Sequence, residues 1–290
     1  MMTPSFSRPP AAFQLDAEVV ENVRTARDTY RVRLAAPSIA ANVVPGQFVM
    51  LRLPGRTDPL LARPFALYDT VLDADGKPIA IDVVYLVVGR VTTLMAELRS
   101  GDRVTLWGPL GNGFTPVDGG TLWMVAGGIG QTPFLALARE GLGLRRYGSP
   151  PRPVKPASGV GLCYGVRSAD LMAGVDDFRS LGIDVHLSTD DGSAGRHGWV
   201  TDLVSARLAT GERPDRIACC GPEPMMAAVA ELAKQHHIPC ELSLETPMAC
   251  GVGACFSCVV PVRTDATSDG WDYRRVCVEG PVFDATQVML

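Results

Sequence analysis

The sequence predicts an antiparallel β-barrel, then an α/β domain with a parallel sheet, then a small C-terminal segment organised by cysteines. Three observations carry that reading. Short runs mixing apolar and polar residues fill the first 110 residues, apolar strands alternate with helical segments after residue 114, and four of the eight cysteines lie between 250 and 277. With 290 residues, 47 % apolar and 20 % charged, the chain has material for about two packed domains.

The barrel is expected over 14–114. Ala17–Val23, Tyr30–Leu34, Gln47–Leu53, Ile79–Val87 and Arg103–Trp107 read as its strands, punctuated by Pro45-Gly46, Pro54-Gly55, Asp75-Gly76 and Ser100-Gly101-Asp102. Strands this short at this spacing suit a barrel or sandwich. One helix is expected near Thr93–Leu98. Ahead of the barrel, 1–13 holds three prolines but no basic segment followed by an apolar core, so it reads as a disordered arm and not an export signal.

The parallel domain is expected over 115–242. Its strands are Leu122–Ala126, Val160–Tyr164, Asp184–Thr189 and Ile217–Cys220. Helices are expected at Pro133–Glu140, Ser168–Leu181, Val200–Leu208 and Pro224–His236. The proline-rich stretch 141–158 reads as an inserted surface loop. The longest apolar run, Ile79–Val88, is broken by Asp82 and is too short to span a bilayer. A net charge of −4 without a long basic run offers no footprint for nucleic acid or anionic lipid. A cytoplasmic location is expected.

From 243 to 290 the cysteines dominate. All eight lie after residue 160, and neither a small domain nor an export signal supports a disulfide framework. Cys250-x4-Cys255-x2-Cys258, with Cys277 further on, has the plant-type spacing for a [2Fe–2S] centre. Four thiolates satisfy two irons. Gly251 and Gly253 let the loop wrap closely and take positive φ. A structural zinc site remains the alternative, although it usually pairs two short C-x2–4-C knuckles. Cys163 and Cys219 read as core residues and Cys240 as packing near a strand start.

Leu122–Ala126 runs into Gly127-Gly128-Ile129-Gly130-Gln131-Thr132-Pro133, a strand feeding a glycine turn and a helix. Such a turn lets backbone approach a pyrophosphate. Cys220-Gly221-Pro222 ends a later strand, and ligands in open parallel sheets bind beyond the carboxyl ends of strands. In the first domain, Arg63 on the extended Arg63-Pro64-Phe65-Ala66 suits a forked phosphate contact. An ordinary surface arginine on an edge strand fits the same residues.

In order, Pro45-Gly46-Gln47-Phe48, Arg63-Pro64-Phe65, Gly108 to Phe114, Gly127 to Gly130, Cys220-Gly221-Pro222, Met248 to Cys258 and Val276 to Phe283 resemble the ferredoxin reductase superfamily. More specifically, they resemble the electron-transfer subunits of dihydroorotate dehydrogenase B. The resemblance implies a β-barrel FAD domain, an NAD-binding α/β domain and a [2Fe–2S] segment with Cys250, Cys255, Cys258 and Cys277 as ligands. It places FAD contacts on Arg63, Pro64, Phe65, Ala66, Val84, Tyr85, Leu86, Val91 and Thr92. NAD contacts fall on Gly127, Gly128, Gly130, Cys220, Gly221 and Pro222, and the choice of NAD over NADP rests on the resemblance. Three residues depart from the family pattern: Ala66 for a serine, Leu86 for an arginine and Val91 for a glycine.

The implied partner is an FMN-containing subunit that oxidises dihydroorotate, assembled two with two, in UMP synthesis. Electrons would arrive singly through the cluster, collect on FAD and leave as hydride to NAD. The other readings are an electron-transfer subunit of a hydrogenase, sulfide dehydrogenase or transhydrogenase complex, and a zinc-stabilised interaction module. No catalytic side chain is assigned. His186, His197, His236 and His237 lack ligand spacing, Asp190 and Asp191 read as turn residues, Arg167 lies where a ribose phosphate or solvent would meet it, and Glu245 precedes the cysteine loop near an expected nicotinamide.

Overall fold

The computed structural model describes residues 12–290. Most of the expected arm, 1–13, therefore lies outside the described residues, and Phe13 already opens the first strand. Strands β1 (Phe13–Ala26), β2 (Thr29–Ala35), β3 (Phe48–Arg52), β4 (Arg63–Ala66), β5 (Asp69–Leu72), β6 (Pro78–Leu86) and β7 (Arg103–Leu110) make one antiparallel sheet, ordered β4-β3-β7-β1-β2-β6-β5. It curls into an open barrel. The link from β4 to β5 spans much of the opening, because Leu67 N donates to Gln47 O at 3.0 Å and Tyr68 N to Asp82 O at 2.9 Å. Alternation along β6 divides its work. Ile81, Val83 and Tyr85 enter the barrel core, and Val84 joins a core shared with the second domain.

Two short helices decorate the barrel: α1 (Pro37–Asn42) and α2 (Arg90–Ala96). The second begins three residues before the expected start. Thr92 Oγ1 accepts from Val88 N and Gly89 N at 3.0 and 3.1 Å, which fixes the entry turn.

In the second domain, β8 (Thr121–Gly127), β9 (Gly159–Val166), β10 (Asp184–Thr189), β11 (Arg196–His197), β12 (Arg216–Cys220) and β13 (Cys240–Ser243) run parallel in the order β11-β10-β9-β8-β12-β13. Helices α3 (Phe134–Gly141) and α4 (Val175–Arg179) cover one face. The other face carries α5 (Val200–Ala209) and α6 (Glu223–Gln235). Burial on both faces explains the unbroken apolar run Leu122–Ala126.

The helix expected over 168–181 is not continuous. A 3-10 turn at Ala169–Leu171 gives way to extended chain before α4. Gly174 sits at φ +72°, where a Cβ would collide with Tyr68 Oη. A left-handed residue stops an α-helix, and here it admits a tyrosine from the barrel. Tyr68 Oη donates to Asp177 Oδ2 at 2.7 Å.

The stretch 141–158 is irregular and binds the two domains together. Tyr147 is buried in the barrel core and donates to Asp69 Oδ1 at 2.7 Å. Arg139 and Arg145 reach the same carboxylate at 3.0 and 3.1 Å.

Beyond β13 a long loop carries three cysteines into the hairpin β14 (Val259–Arg263) and β15 (Trp271–Arg275). The chain then returns as β16 (Val282–Asp284), antiparallel to β13. Asn112, at the junction of the two larger domains, fixes this return. Its amide donates to Glu279 O and Val282 O at 3.1 and 2.7 Å and accepts from Val282 N at 2.9 Å.

Asp69 is the charge that balances two arginines at the domain junction. Asp69→Ala leaves both uncompensated and is expected to destabilise the chain by about 3–5 kcal/mol. Urea unfolding measures this, and a loss under about 1 kcal/mol would reject the role.

Candidate functional site

A cavity of about 580 Å³ opens between barrel and sheet. The barrel side is lined by Arg63, Pro64, Phe65 and Ala66 of β4, by Val84, Tyr85 and Leu86 at the end of β6, and by Val91 and Thr92 of α2. All the residues expected to meet FAD thus share one cavity. Ile129, Thr132 and Cys220 face them from the second domain, and Glu245, Thr246, Pro247 and Met248 close a further side. The cavity holds a surplus polar group: the Thr246 hydroxyl is buried without a hydrogen-bond partner among the described residues. Arg63 is exposed and held by Leu61 O and Ala62 O at 3.1 and 3.0 Å. Arg90, a second cation on the rim, pairs with Asp58 at 2.9 Å.

A second cavity of about 860 Å³ lies over the carboxyl ends of the parallel strands. Gly127, Gly128, Gly130, Gly221 and Pro222 line it, whereas Cys220 opens to the first cavity. The glycines have separable reasons. A Cβ on Gly130 would strike the Cys220 carbonyl, so that glycine lets the turn after β8 pack on the end of β12. Gly128, at φ +57°, has nothing within 4 Å of a would-be Cβ and leaves its space to a ligand. Leu86, Val88, Ile129 and Glu245 border both cavities. The surrounding protein raises the Glu245 carboxyl above its ordinary range by desolvation, although water reaches it through the cleft. Burial likewise raises the Cys220 thiol.

The cysteine loop leans on the barrel. Trp107 Nε1 donates to Cys250 O at 3.0 Å, and Gly251, at φ +74°, lies where a Cβ would meet Met50 Cγ at 2.5 Å. Arg275 holds the far side, bonding Glu279 Oε1 at 2.6 Å and Gly253 O at 3.3 Å beneath the exposed ring of Phe256. Val276 N donates to Cys258 O at 2.9 Å, which places Cys277 beside Cys258.

The four thiols lie near one another, with Cys250 interacting with both Cys255 and Cys277. Cys255 interacts with Cys250 at the surface, and Cys277 with Cys258 inside. Hydrogen bonds from Ser257, and then Cys250, bring the exposed Cys255 thiol down to about 6, while burial takes Cys277 up to about 12. Among the described residues no three His, Cys, Asp or Glu side chains converge on a single point. Four thiolates from one loop and its return segment, at C-x4-C-x2-C spacing, supply the ligands that two bridged irons need. Backbone N–H groups of Val252 and Gly253 point to Cys250 and Cys277 sulfurs. The donor set therefore fits an iron–sulfur cluster.

Other candidates divide. His186 pairs with Asp184 at 2.6 Å on the surface, and Asp191 accepts from Ser193 N at 2.9 Å within its own turn. Arg167, Asp190 and the exposed Trp199 line the second cavity. Trp199 was invisible as a site residue, since only the fold brings the start of α5 beside the glycine turn.

Comparisons with known proteins agree with this arrangement. Residues 16–114 match the oxidoreductase FAD-binding domain, and 245–289 match the iron-sulfur cluster binding domain of dihydroorotate dehydrogenase B. The chain is 38 % identical over 269 residues to a dihydroorotate dehydrogenase B (NAD(+)) electron transfer subunit of Geobacillus kaustophilus, covering 91 % of this chain and 94 % of that one. It is 33 % identical over 277 residues to the subunit of the same name from Caldanaerobacter subterraneus subsp. tengcongensis, covering 96 % and 99 %. A solved NADH-dependent reduced ferredoxin-NADP oxidoreductase superposes with a TM-score of 0.78 at 28 % identity, covering 94 % of this chain and 89 % of that one. The ferredoxin reductase of carbazole 1,9a-dioxygenase shares the fold, at TM-score 0.62, 23 % identity and coverage of 79 % and 67 %.

Gly253 sits at φ +80°, and a Cβ there would lie 2.6 Å from Val278 Cγ2. Gly253→Val is expected to reduce bound iron to about half or less through a strained loop that no longer wraps closely, with the rest of the fold intact. Iron assay beside far-ultraviolet circular dichroism checks this, and full iron retention would contradict it.

Proposed function

This chain belongs to the electron-transfer subunit family of NAD-dependent dihydroorotate dehydrogenase B, and from that premise we propose that it carries electrons from a dihydroorotate-oxidising FMN subunit to NAD+. It is an oxidoreductase subunit. The route proposed is one [2Fe–2S] centre on Cys250, Cys255, Cys258 and Cys277, then FAD in the first cavity, then NAD across Gly127, Gly128, Gly130, Gly221 and Pro222. The assembly is two copies of each subunit, acting in UMP synthesis.

The observation that carries this reading is a continuous series of shared walls. Glu245 borders both cavities, Thr246 to Met248 line the first, and Cys250 follows after one more residue. A bound flavin supplies the exchange between one-electron chemistry at a cluster and two-electron chemistry at a nicotinamide. The chain contributes position. Arg63 and Arg90 offer cations for phosphates at the cavity rim, the apolar faces of Phe65, Tyr85 and Leu86 exclude water, and the glycine turn supplies backbone donors to a pyrophosphate. Cys220 supports the same reading, since its carbonyl lies against the glycine turn and the residue also lines the first cavity.

Anaerobic purification with and without the dihydroorotate-oxidising subunit tests the scheme. About two irons per chain, a flavin spectrum and dihydroorotate-dependent NADH formation only with the partner are expected. Flavin and iron without that activity would move the chain to another electron-transfer complex, and a colourless zinc protein would reject the scheme outright.

A further inference from the structure

The second cavity has a direction. Its lining crosses the sheet from Glu245, just beyond β13, past Gly221 of β12 and Gly127 of β8 to Val166 of β9 and Asp190 of β10. Four strand spacings separate its ends, or about 19 Å. Glu245 marks the end shared with the first cavity, so a dinucleotide reacting there lays its adenosine half over β9 and β10. This placement rests on the nucleotide reading proposed above.

At that far end two adjacent carboxylates have different fates. Asp191 is spent on its own turn, taking hydrogen bonds from Ser193 N and Ser193 Oγ at 2.9 and 2.5 Å. Asp190 is exposed and lines the cavity. Its backbone is nevertheless fixed, because Asp190 N donates to Val166 O at 3.1 Å and Asp191 N to Arg167 O at 3.2 Å. A short carboxylate on a fixed backbone is suited to accept from two neighbouring hydroxyls. It is also suited to repel a phosphate placed on either of them.

The remaining charges agree. The cavity is lined by Arg27, Arg167, Asp28, Asp190 and Glu245. Arg27 is already neutralised by Asp170 at 2.9 Å. Among the described residues that leaves Arg167 as the cation free to meet added negative charge, against three acids. Its long side chain extends from an exposed position, so it is less well placed than Asp190 to define a fixed subsite.

We infer that Asp190 is the residue that selects NAD over NADP, by binding the adenosine ribose hydroxyls and repelling a 2′-phosphate. Asp190→Asn removes the repulsion while keeping the shape and an acceptor, and no contact of the fold depends on the carboxylate among the described residues.

The test uses the flavin- and cluster-loaded full chain, with 5′-AMP and adenosine 2′,5′-bisphosphate as calorimetric probes. The native chain is expected to bind AMP at least tenfold more tightly than the bisphosphate. Asp190→Asn is expected to shrink that ratio at least tenfold, mainly through tighter bisphosphate binding, and adding Arg167→Ala is expected to remove the gain. The ratio of kcat/KM for NADH against NADPH with an artificial acceptor should follow. An unchanged ratio in Asp190→Asn, or a native preference for the bisphosphate, would overturn the inference while leaving the cavity a nucleotide site. If the native chain bound neither probe, the nucleotide reading would fall and the inference with it.

Discussion

The Asn112 side chain holds two hydrogen bonds to Val282 of the last strand and one to Glu279 just before it, and the placement of the cysteine loop depends on them. The loop begins from β13 and the chain returns as β16 beside it, so its two ends are fixed only if the return strand is fixed. Asn112 N also donates to Gly280 O at 2.6 Å, and a Cβ on Gly111 would meet that same oxygen at 2.5 Å. The turn between barrel and sheet therefore has to be small, flexible in φ and equipped with one amide. With the return strand secured there, Trp107 and Met50 can press the loop against the barrel wall. The cysteine loop and the two cavities are neighbours, with the return strand secured by one tightly packed turn.

Much of this architecture is legible in the sequence, because local chemistry wrote it there. Alternating apolar residues mark β2, and near-continuous apolar runs mark β6 and the doubly buried β8. The C-x4-C-x2-C spacing and the glycine turn are chemically self-contained. The helix expected over 168–181 shows where local pattern falls short. Leu171, Val175 and Phe178 do face the core at helical spacing, yet Gly174 takes a left-handed conformation to admit Tyr68 from the other domain. That requirement belongs to a tertiary contact. Strand β4 was recognisable as extended chain with an edge strand as one reading, and it does stand at the sheet edge, paired only with β3, the strand before it in the chain. Asp190 and Trp199 gained meaning only when parallel strands aligned their carboxyl ends.

The departures at Ala66, Leu86 and Val91 have different structural weights. Val91 is buried in the barrel core and contributes packing, and it also lines the first cavity. Leu86 lies between the two cavities, where an apolar side chain dries the boundary at the expense of a cation. Arg90, one turn of chain away and tethered by Asp58, provides positive charge on the same rim. Ala66 removes a hydroxyl from β4, while the unpaired Thr246 hydroxyl stands on another wall of that cavity. Polar groups at this site are redistributed among the elements that enclose it, and the cavity keeps both cations and hydrogen-bonding capacity.

On the proposed assignment, the flavin, nucleotide and cluster sites form one electrically connected centre. Its most direct measurement is an anaerobic titration of the loaded chain with NADH, in the absence of any partner subunit, following flavin absorbance and the electron paramagnetic resonance of the cluster together. Bleaching of the flavin accompanied by the signal of a reduced [2Fe–2S] centre is the predicted result. Flavin reduction with a cluster that stays oxidised, while a stronger chemical reductant of lower potential still reduces it, would show that the two sites do not exchange electrons under NADH and would contradict the account.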